Sequence, residues 1–137
     1  MEPIFLDAAF VIALETSDDQ NHQKAIEYWK IFQRSPVPLV TTSFILDEIA
    51  TFFNSRNRHS KAVEVVGNLL VSKFVELIHV DVILFQVGWT YFQKHSDKRY
   101  SLTDCISFVV MQERKINTAL TFDKHFTQAG FERPPNL

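Results

Sequence analysis

Four short apolar runs, at residues 4–6, 37–41, 74–80 and 118–122, are separated by stretches long enough to hold one or two helices each. Strands that alternate with helices in this way belong to an α/β domain with a mainly parallel central sheet. The fullest unit is S-L-T-D-C-I-S-F-V-V-M-Q-E-R-K-I-N-T-A-L-T-F-D-K-H-F, residues 101–126. Ser101 can cap a helix with Asp104 three residues on. Ile106, Phe108, Val109, Val110 and Met111 then make that helix apolar nearly all round before it turns polar at Gln112-Glu113-Arg114-Lys115. Thr118-Ala119-Leu120-Thr121-Phe122 has the composition of a strand covered on both faces, and Asp123-Lys124-His125 ends it in a turn.

The remaining elements follow the same grammar. Ile4-Phe5-Leu6 ends at Asp7 and feeds a helix over 8–14. After a break at 18–21, Ala25, Ile26, Trp29 and Phe32 recur at helical spacing until Ser35-Pro36. Pro38 places the second strand's start, or the sheet's rim, at that point. Thr42 or Ser43 caps a helix to about residue 53 whose apolar face holds Ile45, Leu46, Ile49, Phe52 and Phe53. At ~100° per residue Asp47 lies nearly opposite that face and Glu48 at its margin, so if either acid is partly buried it is Glu48. Further helices are expected over 61–71 and from Asp81 through Phe92, with basic turns at 54–59 and 95–99. Residues 130–133 are expected to form a short edge strand before Pro134-Pro135 ends order.

A chain of 137 residues is one ordinary domain, and 46% hydrophobic with 22% charged residues is a globular composition. Thirteen Phe imply an aromatic core or an apolar face kept for a partner. The single Cys105 lies in the buried helix, cannot form an intramolecular disulfide, and fits a reducing, cytoplasmic setting. The amino terminus lacks the basic and apolar regions of a signal peptide, and no apolar run approaches a membrane span. A net charge of −2 and a pI near 6.2 give no global signature of nucleic-acid binding, so a polyanion would need local basic patches or bound cations.

The topology gathers acids. In a parallel sheet the carboxyl ends of the strands share one edge, and returning helices start there. Asp7 and Asp123 follow strands, Asp104 begins a helix, and Glu48 lies ~9 Å into the helix after the second strand. Any one of them has an ordinary structural use, as a helix cap, a capping-box partner or a solvated residue. Four converging carboxylates repel one another, and a divalent cation is the natural compensation. Mg²⁺ or Mn²⁺ accepts carboxylate oxygens and leaves positions open for phosphate oxygens, which suits phosphodiester hydrolysis by an activated water. Zinc fits less well, since Cys105, His22, His59, His79, His95 and His125 show no ligand spacing. Gly67, Gly88 and Gly130 make no phosphate-cradling loop, and no nucleophile elbow is present.

The motifs I-F-L-D-A-A-F-V-I-A-L, T-T-S-F-I-L-D-E-I-A, S-L-T-D-C-I-S-F-V-V-M and A-L-T-F-D-K-H-F-T-Q-A-G-F together resemble a PIN domain, and more narrowly the small VapC-type toxins. The resemblance spans nearly the whole chain, 1–137. It implies a three-layer sandwich with a parallel sheet of four to five strands, Mg²⁺- or Mn²⁺-dependent cleavage of RNA, a homodimer, and often a small antitoxin partner. Residue by residue, the family's four acids are carried onto Asp7, Glu48, Asp104 and Asp123, not Asp47. Thr103 and Thr121 match hydroxyls that orient a ligand or water beside these acids. The departure is Ala9, where many relatives carry Ser or Thr. Arg56, Arg58, His59 and Lys61, with Lys94, Lys98, Arg99 and Lys124, are the basic residues available for phosphate contacts. Aromatic helices around Phe52-Phe53 and Trp89-Tyr91-Phe92 are the expected dimer face. The rival reading is a PIN-fold module that binds RNA or protein without cutting, and Ala9 is what favours it.

Overall fold

A computed structural model describes residues 1–135 and Leu137. The elements run β1 (Ile4–Leu6), α1 (Ala8–Glu15), α2 (His22–Arg34), β2 (Leu39–Thr42), α3 (Ser43–Asn54), α4 (His59–Val71), β3 (Val75–Ile78), α5 (Val82–Lys94), α6 (Leu102–Arg114), β4 (Ala119–Leu120) and α7 (His125–Gln128). The four strands form one parallel sheet in the order β3-β2-β1-β4. This is the α/β sandwich that the alternation of elements predicts.

The strand order fixes where a site can form. The chain moves outward from β1 through β2 to β3, then returns across the sheet by α5 and α6 to place β4 on the other side of β1. Crossovers between parallel strands are right-handed, so connections of opposite direction put their helices on opposite faces. The helices pack accordingly: α1 against α2 and α3, α3 against α4, and α5 against α6. Between β1 and β4 the direction reverses. In open α/β sheets ligands bind at the carboxyl ends of the strands beside such a reversal.

The core is continuous through the sheet. Phe5, Leu6, Leu39, Val40, Ala119 and Leu120 fill its middle, with Phe10, Ile45, Ile49 and Phe53 from one set of helices and Cys105, Phe108, Met111 and Phe126 from the other. Many of the phenylalanines are spent on these layers. Phe10 meets Tyr28 edge-on and stacks on Phe122, while Phe108 meets Tyr100 and Phe126 edge-on at 5.0 Å.

Of the two places open to Pro38, the structure has the strand's start: it lies just before β2, an interior strand, and its carbonyl accepts the Ile4 N–H. Other sequence expectations change at the margins. The strand expected over 118–122 shortens to two residues, because the Thr121 hydroxyl accepts the Asp123 N–H and turns the chain. Residues 130–133 form no strand. Glu132 makes one bridge to Thr118, and Pro134 has no N–H with which to extend a ladder. Order does not end at the prolines, since Pro134 is buried and the Leu137 N–H reaches its carbonyl; Asn136 lies outside the described residues. The last helix, α7, replaces what the sequence presents as a turn.

Candidate active site

Parallel register brings the first acid to its partner. Phe5 pairs with Ala119 and Leu6 with Leu120, so the next residues, Asp7 and Thr121, leave the sheet side by side. The Thr121 hydroxyl donates to Asp7 Oδ2 at 2.6 Å and accepts from the Asp123 N–H at 2.9 Å. One buried hydroxyl thus ties the ends of β1 and β4 together. Asp7 occupies the N-cap position of α1, but its side chain makes no capping bond, so the carboxylate is not consumed by the helix it precedes.

Asp104 is used differently. Ser101 and Asp104 close a full capping box: the Asp104 N–H donates to Ser101 Oγ and the Ser101 N–H to Asp104 Oδ2, both at 3.0 Å. The structural role open to Asp104 in the sequence is therefore real, and it aims the carboxylate back over the start of α6. The same oxygen lies 3.1 Å from His125 Nδ1. Asp123 Oδ1 accepts the His125 N–H at 2.9 Å and sits 3.3 Å from the same ring nitrogen. Asp104, Asp123 and His125 offer ligand atoms within 4.8 Å of one another.

The electrostatics follow from burial and crowding. Asp7 is 4% exposed, and burial pushes its carboxyl up to about 7, with the Thr121 hydrogen bond opposing and Glu48, Asp104 and Asp123 adding to the rise. Desolvation also raises Asp104; the Ser101 amide opposes that rise, the Asp123 charge adds to it, and His125 relieves part of it. Glu48 is raised by desolvation and then by the charges of Asp104, Asp123 and Asp47. The charges acting on these three acids are other acids and one histidine. A crowded set of carboxylates with no lysine or arginine among its perturbing charges is chemically suited to a divalent cation.

Asp47 and Glu48 are both exposed, but burial is the first cause of the raised Glu48 carboxyl, in keeping with its place at the margin of the apolar face. One expectation needs correction. His125, which the sequence leaves without a ligand's spacing, stands between two of the acids. Its signal is visible only in retrospect: Asp123 and His125 are two residues apart, and a one-turn helix folds the second back over the first. Among the hydroxyls, Thr121 bonds an acid, whereas the bond recorded at Thr103 is to its carbonyl, from Ser107.

The basic residues divide into two groups. Lys98 and Arg99 are exposed just before the capping box, and Lys124 is exposed between Asp123 and His125, so all three border the acids in the chain. Lys98 is also 3.8 Å from Asp97. Arg56 lies in the turn after α3, beyond the end of the helix that carries Glu48. Its guanidinium stacks 3.7 Å over Phe52 and donates to the Phe52 carbonyl, and Arg58 lies 5.6 Å over Phe53. His59 bonds Asn54, and Lys61 pairs with Glu15 at 2.9 Å.

Known proteins resemble this chain in sequence and in fold. A family model of the PIN domain matches residues 4–132. The 23S rRNA-specific endonuclease VapC20, from two strains of Mycobacterium tuberculosis, is 33% identical over 128 residues, covering 93% of this chain and 95% of that protein. The crystal structure of Mycobacterium tuberculosis VapC20, described as a toxin that cleaves the sarcin-ricin loop, matches with a TM-score of 0.84 and 32% identity over 93% of this chain and 95% of that one.

Proposed function

The chain belongs to the PIN domain family, and from that premise we propose that it is a VapC-type toxin: an endoribonuclease that hydrolyses RNA phosphodiesters with a divalent cation held by Asp7, Glu48, Asp104 and Asp123. The observation that carries the reading is the closeness of these four acids at the carboxyl ends of β1 and β4: the charges of Glu48, Asp104 and Asp123 act on Asp7, and those of Asp104 and Asp123 act on Glu48. Likeness to VapC20 over almost the full length supports the RNA substrate and a small antitoxin as partner.

When bound, Mg²⁺ or Mn²⁺ supplies an activated water and stabilises the charge on the leaving oxygen. The chain's own residues hold and orient. Thr121 fixes Asp7 by its Oδ2 and the Asp123 backbone by its N–H, so neither can drift as the charge on the site changes. Ser101 fixes Asp104 in the same way. Lys98, Arg99 and Lys124 are placed to meet phosphates beside the scissile one, while Arg56 and Arg58, preorganised on phenylalanine rings, would meet a more distant stretch of the strand. The homodimer is part of this reading, with the exposed side of α5 as its contact.

A binding module without catalysis is favoured by one observation, the missing hydroxyl at Ala9 in the first turn of α1. Incubating purified protein with mixed RNA and with a 23S rRNA fragment containing the sarcin-ricin loop separates the two. Cleavage with Mg²⁺ or Mn²⁺ that stops with EDTA and is absent in Asp104→Asn supports the nuclease. Asparagine is the apt replacement, because its carbonyl oxygen can still accept the Ser101 N–H. Metal-dependent cleavage retained in the variant would remove Asp104 from the site, and RNA binding without cleavage under any condition would favour the module.

A further inference from the structure

His125 is held too firmly to be a bystander. Its main-chain N–H is bonded to Asp123 Oδ1 at 2.9 Å, and its ring meets Tyr100 edge-on with centroids 5.5 Å apart. Nδ1 faces Asp104 Oδ2 at 3.1 Å and Asp123 Oδ1 at 3.3 Å, with the side chain 21% exposed. The ring is thus fixed from three sides at the first residue of α7, beside the acids.

The spacing matches a coordination sphere. Adjacent ligands of an octahedral ion bound at about 2.1 Å are about 3 Å apart, close to both separations from Nδ1. Without a cation, a proton on Nδ1 can be shared with Asp104; with a cation in its place, the neutral ring carries its proton on Nε2 and would present the Nδ1 lone pair to the point the two carboxylates share. We infer that His125 is a nitrogen donor to the cation held by Asp104 and Asp123, and that it shifts the site from an all-oxygen preference for Mg²⁺ toward Mn²⁺ and other borderline ions. The inference rests on the metal-site reading above. Its physical basis is ligand type: carboxylate and water suit Mg²⁺, whereas imidazole selects the first-row transition ions.

The test is metal binding by the intact, chelator-treated protein, without RNA. Calorimetric titration with MnCl₂ and MgCl₂, and pulsed electron paramagnetic resonance of the Mn²⁺-loaded protein, are carried out on the wild type, His125→Gln and Asp104→Asn. Glutamine keeps the main-chain bond to Asp123 and removes the imidazole. The wild type should show nitrogen coupling to Mn²⁺; His125→Gln should lose it and bind Mn²⁺ about 10-fold more weakly, with Mg²⁺ binding unchanged. If the wild type binds Mn²⁺, loses it in Asp104→Asn, and shows no nitrogen coupling, the role of His125 is overturned while the carboxylate site stands. If His125→Gln binds both ions more tightly, the ring competes with the cation and the inference fails. If the wild type binds neither ion, both readings fail.

Discussion

Asp7 carries the largest single electrostatic consequence of the fold. Its carboxyl moves from an ordinary 3.8 when unfolded to about 7 when folded, so between those values the folded chain binds the extra proton. Stability without metal should therefore be greatest in acid, decline as pH rises through this interval, and level off above about 7, a span of about 4 kcal/mol from this group alone. Glu48 and Asp104 are raised as well and act in the same direction. Asp7→Asn, which can still accept the Thr121 hydroxyl, should flatten the profile and exceed the wild type at pH 8; denaturant midpoints from pH 4 to 8 with EDTA read this directly. A wild-type midpoint that rises with pH would refute it. At the start of α6, Ser101→Ala removes one of the two capping-box bonds and should cost about 1 kcal/mol in unfolding free energy while leaving metal-dependent cleavage in place.

Among the elements, the α5–α6 contact is the most sharply constrained. A methyl group on Gly88 would stand 2.5 Å from Ile106 Cγ1 and 3.4 Å from the Ile106 Cα. Gly88→Ala gains about 1 kcal/mol of helix propensity but forces two packed helices apart, which costs about 1–3 kcal/mol. The net effect should be a lower urea midpoint with an unchanged slope. Gly67 in α4 has nothing within 4 Å of the same position, so Gly67→Ala should raise the midpoint by the propensity alone, roughly 0.5–1 kcal/mol. Opposite signs for the two substitutions are the expected result. The long helices were legible because periodicity over a dozen residues is strong. The four-residue α7 was not, because one turn carries no period, and its first residue is held by Asp123 and Asp104 rather than by local preference.

For the molecule as a whole, the aromatic surplus resolves into core and surface. Phe53 is fully buried and Phe52 half-buried, so that pair is largely spent within the chain, whereas Val82, Ile83, Val87, Trp89 and Phe92 of α5 are exposed. If α5 is the dimer contact, Trp89→Arg should convert the protein to a monomer in sedimentation or light scattering at micromolar concentration, with its circular dichroism spectrum intact. An unchanged dimer would move the contact elsewhere, and a wild-type monomer would remove the homodimer. Among the described residues no helix is long and apolar enough to cross a membrane.

The sequence by itself determined the class of fold and the sheet edge to which Asp7, Glu48, Asp104 and Asp123 belong, because strand and helix periods are local and parallel topology leaves few ways to connect them. Tertiary structure decided what each acid does there. Only the β1/β4 register sets Asp7 against Thr121, 114 residues away in the chain. Only the packing of α6, β4 and α7 puts His125 between Asp104 and Asp123, and only burial shows that Asp7 rather than Glu48 bears the greatest cost of its charge. Hydrogen bonds and desolvation depend on distances between segments remote in sequence, and no local pattern of residue types encodes those distances.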